Sequence, residues 1–229
     1  MNGHWPRITG AIAGVIFAVC LFLSLAVVDP LRQATDAELT DWWSSNSNLD
    51  DSIVSMYLRL LAIPFLLAFL AQVRAFFRSA DNGSWSDLAH SSGIVCAAML
   101  GVSALVRGVT AQSIRLDDEP LPGVDTLRFA TELSYQAYGT AAIGALAVTA
   151  GVTALIILRT NVLPRWLGWL SLPLASLSLI AVALQFGAFA SPLLLIWTLA
   201  TSFCLARARS TDADEAASPA VLQPTKSFN

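Results

Sequence analysis

Charge is what this sequence has least of. Asp, Glu, Lys and Arg make up 13% of its 229 residues, against 55% hydrophobic. A soluble domain carries about 25% charged residues to cover its surface. A chain with half that share cannot coat itself against water, and in lipid it need not. Mean hydropathy is +0.64, as expected of a membrane protein. The net charge of −3 leaves no basic footprint for nucleic acid, so nucleic acid is excluded as a partner.

Cysteine and histidine are scarce too. Cys20, Cys96 and Cys204 each sit inside an apolar run, with no CxxC pair and no loop cysteine. That pattern argues against a disulfide framework or a zinc site. Each thiol reads as a small hydrophobe in a helix interior. The only histidines are His4 and His90. There is no His-Glu-x-x-His pair to place two imidazoles on one helix face, and no glycine-rich phosphate loop. No metal and no cofactor are expected. Asp87, His90, Ser91 and Ser92 lie close together in sequence, but they read as an interfacial helix start capped by Ser86 or Asp87. No catalytic residue is assigned.

What the chain has is six long apolar runs, at about 8–28, 53–73, 88–106, 137–158, 166–186 and 188–206. The first would reach about 31 Å as a helix, close to the thickness of the hydrocarbon core. It is too long for the apolar region of a signal peptide and is read as a retained anchor. The fourth run begins as early as Leu127, so the part with Arg128, Glu132, Tyr135 and Tyr138 is expected at the interface. The fold class is all-α: a polytopic membrane protein, one bundle of six transmembrane helices over 1–209. A Ser/Ala/Asp/Glu-rich tail, 210–229, lacks apolar periodicity and reads as disordered and cytoplasmic.

The segments between the runs divide by charge. Arg7, Arg74, Arg78, Arg159, Arg165, Arg207, Arg209 and Lys226 fall on one side. The other side has Arg32, Arg107, Arg115 and Arg128, diluted by the acids of two long loops. Lys and Arg accumulate in cytoplasmic loops, so both termini are placed in the cytoplasm of a plasma-membrane protein. In the first acidic loop, residues 35–43 have early acids and apolar residues at helical spacing. They predict a short helix at the membrane surface, with Trp42 and Trp43 as interfacial anchors; Trp166 and Trp169 anchor the start of the fifth span.

Small residues recur on several spans. Gly10 and Gly14 form a G-x-x-x-G in the first, Gly101 lies in the third, and Gly139 and Gly144 lie in the fourth. Such faces let helices approach closely, either within the bundle or between chains.

The stretch Asn161-Val162-Leu163-Pro164-Arg165-Trp166-Leu167-Gly168-Trp169-Leu170 resembles a phrase of small six-span actinobacterial membrane proteins in or near the DUF4386-like families of unknown function. Phe65 to Arg78, with the short Asp/Gly turn after it, is similar to their second and third spans. The resemblance implies the architecture and a bacterial plasma membrane. It carries over no functional residue.

One charge stands out. Arg59 lies about 10 Å inside the second span, and Arg74 is too near for the span to be shifted to expose it. A charge at that depth costs a few kcal/mol unless it is paired or snorkels. Glu132 is its natural partner by depth. The pair is either structural or the lining of an outward cavity for an anionic ligand or lipid headgroup. The expected role is therefore a non-enzymatic bundle that interacts with membrane lipids, a protein partner or a second copy of itself. The alternatives are a small-solute permease with an outward cavity near Arg59 and, third, a lipid-modifying enzyme.

Overall fold

The structure is a computed structural model in which residues 9–26, 34–78, 83–117 and 119–217 are described, with side chains as far as residue 208. In hydrocarbon every backbone N–H and C=O must be satisfied within its own segment, and a helix does this. The described residues contain helices and no strand. In order they form α1 (Thr9–Leu25), α2 (Asp36–Ser44), α3 (Asn46–Phe77), α4 (Ser84–Arg115) and α5 (Val124–Tyr135). A π-helical turn (Gln136–Ala142) then joins α5 to α6 (Ile143–Thr160). After it come α7 (Arg165–Ala183), a 3₁₀ turn (Gly187–Ala190) and α8 (Ser191–Ala217).

Five helical stretches are long and apolar enough to cross a membrane: Asn46–Phe77, Ser84–Arg115, Val124–Thr160, Arg165–Ala183 and Gly187–Ala208. The sixth expected span corresponds to α1, whose 17 residues reach only about 26 Å. The rest of that expected span, residue 8 and residues 27–28, lies outside the described residues.

Several boundaries differ from those read in the sequence. Both α3 and α4 have 32 residues, so each rises about 48 Å and its ends stand clear of a hydrocarbon core about 30 Å thick. Hydropathy marks only the apolar middle of such a helix, because polar residues at its ends still fit the hydrogen-bonding ladder. Residues 107–115, read as loop, belong to α4 for the same reason. At the other end of the chain α8 continues to Ala217, so the first part of the tail read as disordered is helical. The remainder, 218–229, lies outside the described residues.

The core is laid out around an antiparallel α3–α4 hairpin. Along α3, Met56, Ile63 and Leu70 are seven residues apart, a spacing of two turns. They face Gly108, Gly101 and Gly93 of α4 in that order. A Cβ at Gly93 would lie 2.3 Å from Leu70 Cδ1, and one at Gly108 2.2 Å from Met56 Sδ. Helix α1 uses the same device. Gly10 faces Gln72, and Gly14 faces Phe69 and Ser202. The closest small-residue contacts are therefore made within the chain. Phe17, Phe69, Leu146 and Trp197 are fully buried among these helices. Phe69 and Trp197 meet edge to face at 6.0 Å.

The outer surface is apolar. Ile12, Phe22, Leu61, Leu105, Ile180, Ile196, Phe203 and Phe189 (77%) are all exposed. The interior holds hydroxyls, some of which close on their own helices: Ser171, Ser178 and Thr198 each donate to the carbonyl four residues earlier, whereas Thr153, Thr201 and Ser202 have no hydrogen-bond partner among the described residues. This arrangement, greasy outside and polar side chains inside, suits a lipid solvent.

Candidate functional site

At the end of the bundle that carries the acidic loops, the short helix α2 lies across α3 and α5. It starts with a capping box. Glu38 N–H donates to Thr35 Oγ1, and the Thr35 backbone N–H and hydroxyl both donate to Glu38 Oε2, at 2.7 and 2.9 Å. The backbone hydrogen bond and then the hydroxyl hold the Glu38 carboxyl below its usual range. Arg128 of α5 clamps the same turn through Ala34 O (3.1 Å) and Asp36 Oδ1 (2.5 Å).

The expected short helix is present, but one of the tryptophans expected to anchor it faces the protein interior. Trp43 is fully buried (0%) with Leu39, Leu49, Ala111 and Leu127. Its Nε1 is 3.4 Å from Thr131 Oγ1. Helical spacing puts Leu39 and Trp43 on one face, and α5 covers that face. Trp42 is half-buried and its ring lies 5.2 Å from Arg107 Cζ. Trp166 and Trp169, by contrast, are exposed at 52% and 65%.

Beneath Trp43 lies a small cavity lined by Trp43, Arg59, Arg107, Thr131, Ser134, Tyr135 and Tyr138. Its volume of about 30 Å³ gives room for one or two water molecules. Two guanidinium groups border it, and both residues are buried: Arg59 at 3% exposure and Arg107 at 6%. Arg59 Nη1 donates to Ser103 Oγ at 3.1 Å, and its Cζ stands 4.9 Å from the centre of the Tyr138 ring. Arg59 Nε has no hydrogen-bond partner. Ser103 is shared: Ser134 Oγ donates to its carbonyl at 3.0 Å, and the two hydroxyls are 3.1 Å apart. Arg107 Nε donates to Ser52 Oγ at 3.3 Å.

The Arg59–Glu132 pair expected from depth does not form; among the described residues Arg59 has no carboxylate partner. The cause is helical phase. Thr131, Ser134, Tyr135 and Tyr138 make the face of α5 and the π turn that meets α3 and α4. Glu132 is 200° round the helix from Ser134 and is half-buried on the flank. Tyr138, expected at the interface, is instead 4% exposed, with its hydroxyl 2.6 Å from Ser191 Oγ.

Arg107 was missed in the sequence because it looked like the charge that closes a span. The signal was there: Ser103, Ala104, Gly108 and Ala111 surround it at helical spacing and belong to the packed face. The remaining glycines do less here. Gly139 approaches the Ala188 backbone N at 3.1 Å, whereas Gly101 and Gly144 have only ordinary contacts, at 3.4 and 3.7 Å.

At the opposite end Asp87 accepts from Arg74 Nε at 2.7 Å, so this carboxylate is held by an arginine. Among the described residues no cluster of three or more His, Cys, Asp or Glu side chains converges as a metal site would require. The class that fold and cavity define is an apolar, all-helical, multi-pass membrane bundle with a polar pocket at one end. No family model, curated protein or solved structure matches the chain.

Proposed function

We propose that this chain is a six-crossing plasma-membrane protein with both ends cytoplasmic, and that it works by binding membrane lipids and not by catalysis. The carrying observation is the cavity beneath Trp43. It sits under α2, at the end of the bundle that carries the acidic loops, and two buried arginines border it. The α1 helix is the sixth crossing in this reading; its described part lacks only about three residues of the usual length. Membership of the DUF4386-like families belongs to the same reading and rests on the phrase at 161–170. A protein partner or second copy would add to the lipid contacts through the exposed apolar faces.

The reading is tested by extracting the protein from its native membrane in mild detergent and identifying what stays bound by mass spectrometry. Retained lipid in fixed ratio to protein is expected. Protein that stays dissolved without detergent, or that carries no lipid at all, would refute the reading. The permease alternative draws on the same cavity, but about 30 Å³ holds no solute beyond a few atoms. Uptake of small organic anions into liposomes containing the protein would favour it.

A further inference from the structure

The lipid-binding reading leaves open which chemical group the cavity receives. We propose that it binds a phosphoryl group, carried by a phospholipid headgroup or free in solution, held by Arg59 together with Arg107 and the Thr131 hydroxyl. This rests on the function proposed above and names the ligand class for that site.

The argument starts from the cost of Arg59. A guanidinium is always charged and has five N–H donors in a fixed fork. Buried this deep, it needs acceptors for those donors. The structure gives it one hydroxyl, Ser103 Oγ, and one aromatic face, Tyr138. Neither is an anion, and Nε is left with no acceptor although the residue borders open space. An incompletely satisfied buried cation facing a cavity is what a site for an anion looks like before the anion arrives.

The donor arrangement favours a tetrahedral oxyanion over a carboxylate. A carboxylate is planar, and its two oxygens, lying in one plane, match a single arginine fork in a bidentate pair. Here donors converge from three separate elements. Arg59 comes from α3, Arg107 from α4 and the Thr131 hydroxyl from α5, whereas the Ser134 and Tyr135 hydroxyls already donate to the Ser103 and Gln185 carbonyls. A phosphoryl group presents three or four oxygens in different directions and can meet all three elements at once. Arginine is also the side chain best matched to phosphate geometry.

Trp43 roofs the cavity with its buried ring. The Tyr138 hydroxyl is already engaged with Ser191. The ring's contribution is to hold the Arg59 plane against the cavity.

The test uses the full chain, delipidated in detergent, with thermal unfolding followed on titration with inorganic phosphate and, separately, with acetate. Phosphate should raise the wild-type midpoint in a saturable way and acetate should not. Arg59→Gln should weaken the phosphate response by about 10-fold or more, the usual scale for a hydrogen bond to a charged group. Arg59→Lys should keep part of it. If Arg59→Gln does not fold, Thr131→Val, which keeps the volume and removes a lining hydroxyl, should weaken the response severalfold.

The two sources are separated by native mass spectrometry after reconstitution into nanodiscs of phosphatidylglycerol or of a phosphate-free glycolipid. One retained phosphatidylglycerol per chain, lost in Arg59→Gln, assigns the site to a headgroup. Undiminished phosphate binding by protein that retains no phosphatidylglycerol assigns it to free phosphate. Equal responses to phosphate and acetate, or a phosphate response unchanged in Arg59→Gln, would overturn the phosphoryl assignment. If the glycolipid is retained as tightly as phosphatidylglycerol and phosphate has no effect, the assignment fails while lipid binding stands. If nothing is retained, both fail.

Discussion

The Arg59 guanidinium stands 4.9 Å from the centre of the Tyr138 ring, so the arginine deep in α3 is supported by an aromatic face and the Ser103 hydroxyl and, among the described residues, by no carboxylate. A desolvated cation–π contact of this kind is worth about 2 kcal/mol. It lets a charge reside in the bundle without a permanent counter-ion, which a carboxylate would supply at the cost of filling the site.

Two substitutions at Tyr138 should separate its roles. Tyr138→Phe keeps the ring and removes the hydroxyl that meets Ser191 at 2.6 Å, at a cost of about 1 kcal/mol. Tyr138→Leu also removes the ring over Arg59 and should cost about 3 kcal/mol or more. Unfolding midpoints in detergent should fall in the order wild type, Phe, Leu; a Phe variant as unstable as Leu would remove the ring from this account.

The tight glycines should tolerate alanine in proportion to their space. A Cβ at Gly187 would come 1.7 Å from the Gly139 carbonyl oxygen and 2.8 Å from its carbonyl carbon, backbone atoms that cannot swing aside as the end of a side chain would. Gly187→Ala should therefore destabilise by about 3 kcal/mol or prevent folding. Gly144→Ala meets only Val182 Cγ1 at 3.7 Å and should be neutral or stabilising by up to about 1 kcal/mol, because alanine favours the helix. Comparable yields and midpoints for the two variants would contradict the packing described between the π turn and the 3₁₀ turn.

Tryptophan fluorescence gives a reading of which rings meet lipid. In single-tryptophan variants reconstituted with brominated lipid, Trp169 (65% exposed) should be strongly quenched. Trp43 and Trp197, both at 0%, should be quenched weakly, because protein separates them from the acyl chains. Strong quenching of Trp43 would mean that α2 turns its other face to the bundle.

Helix α2 should loosen in acid. Its Glu38 carboxyl is held below the usual range by the Thr35 backbone N–H and then its hydroxyl, so the group prefers to be ionised in the folded state. A lowered folded pKa adds stability that is fully present above the unfolded value, near 4.5, and is lost as the pH falls through the lower folded value. Amide exchange in α2, corrected for the intrinsic pH effect, should accelerate below about pH 4.5. Thr35→Ala should loosen the same turn at neutral pH and abolish most of that pH dependence.

Much of this architecture is legible in the residues because hydrophobicity is a length measurement. A run of about 20 apolar residues has one stable state in lipid, and five of the six runs coincide with helices long enough to cross. The short helix was readable for a different reason: residues 35–43 have early acids and apolar residues at helical spacing, a local pattern, although the Thr35–Glu38 capping box that starts it was not read there. The extents of α3 and α4 were not readable, since polar helix ends look like loop to any hydropathy scale. The site was half readable. Arg59 was conspicuous by depth, whereas Arg107 was hidden by its nearness to a span end.

The chain by itself determined the solvent, the helices and the existence of one misplaced charge, since each follows from the composition of a short contiguous stretch. Only the tertiary structure decided what faces that charge. Glu132 and Ser134 differ by two positions in the chain yet point 200° apart on the helix, so one is turned from Arg59 and the other meets its Ser103 partner. Which of the two looks inward depends on how α5 is rotated against α3 and α4. That rotation is set by packing contacts between residues 31 or more positions apart, such as Ser103 with Ser134 and Trp43 with Thr131.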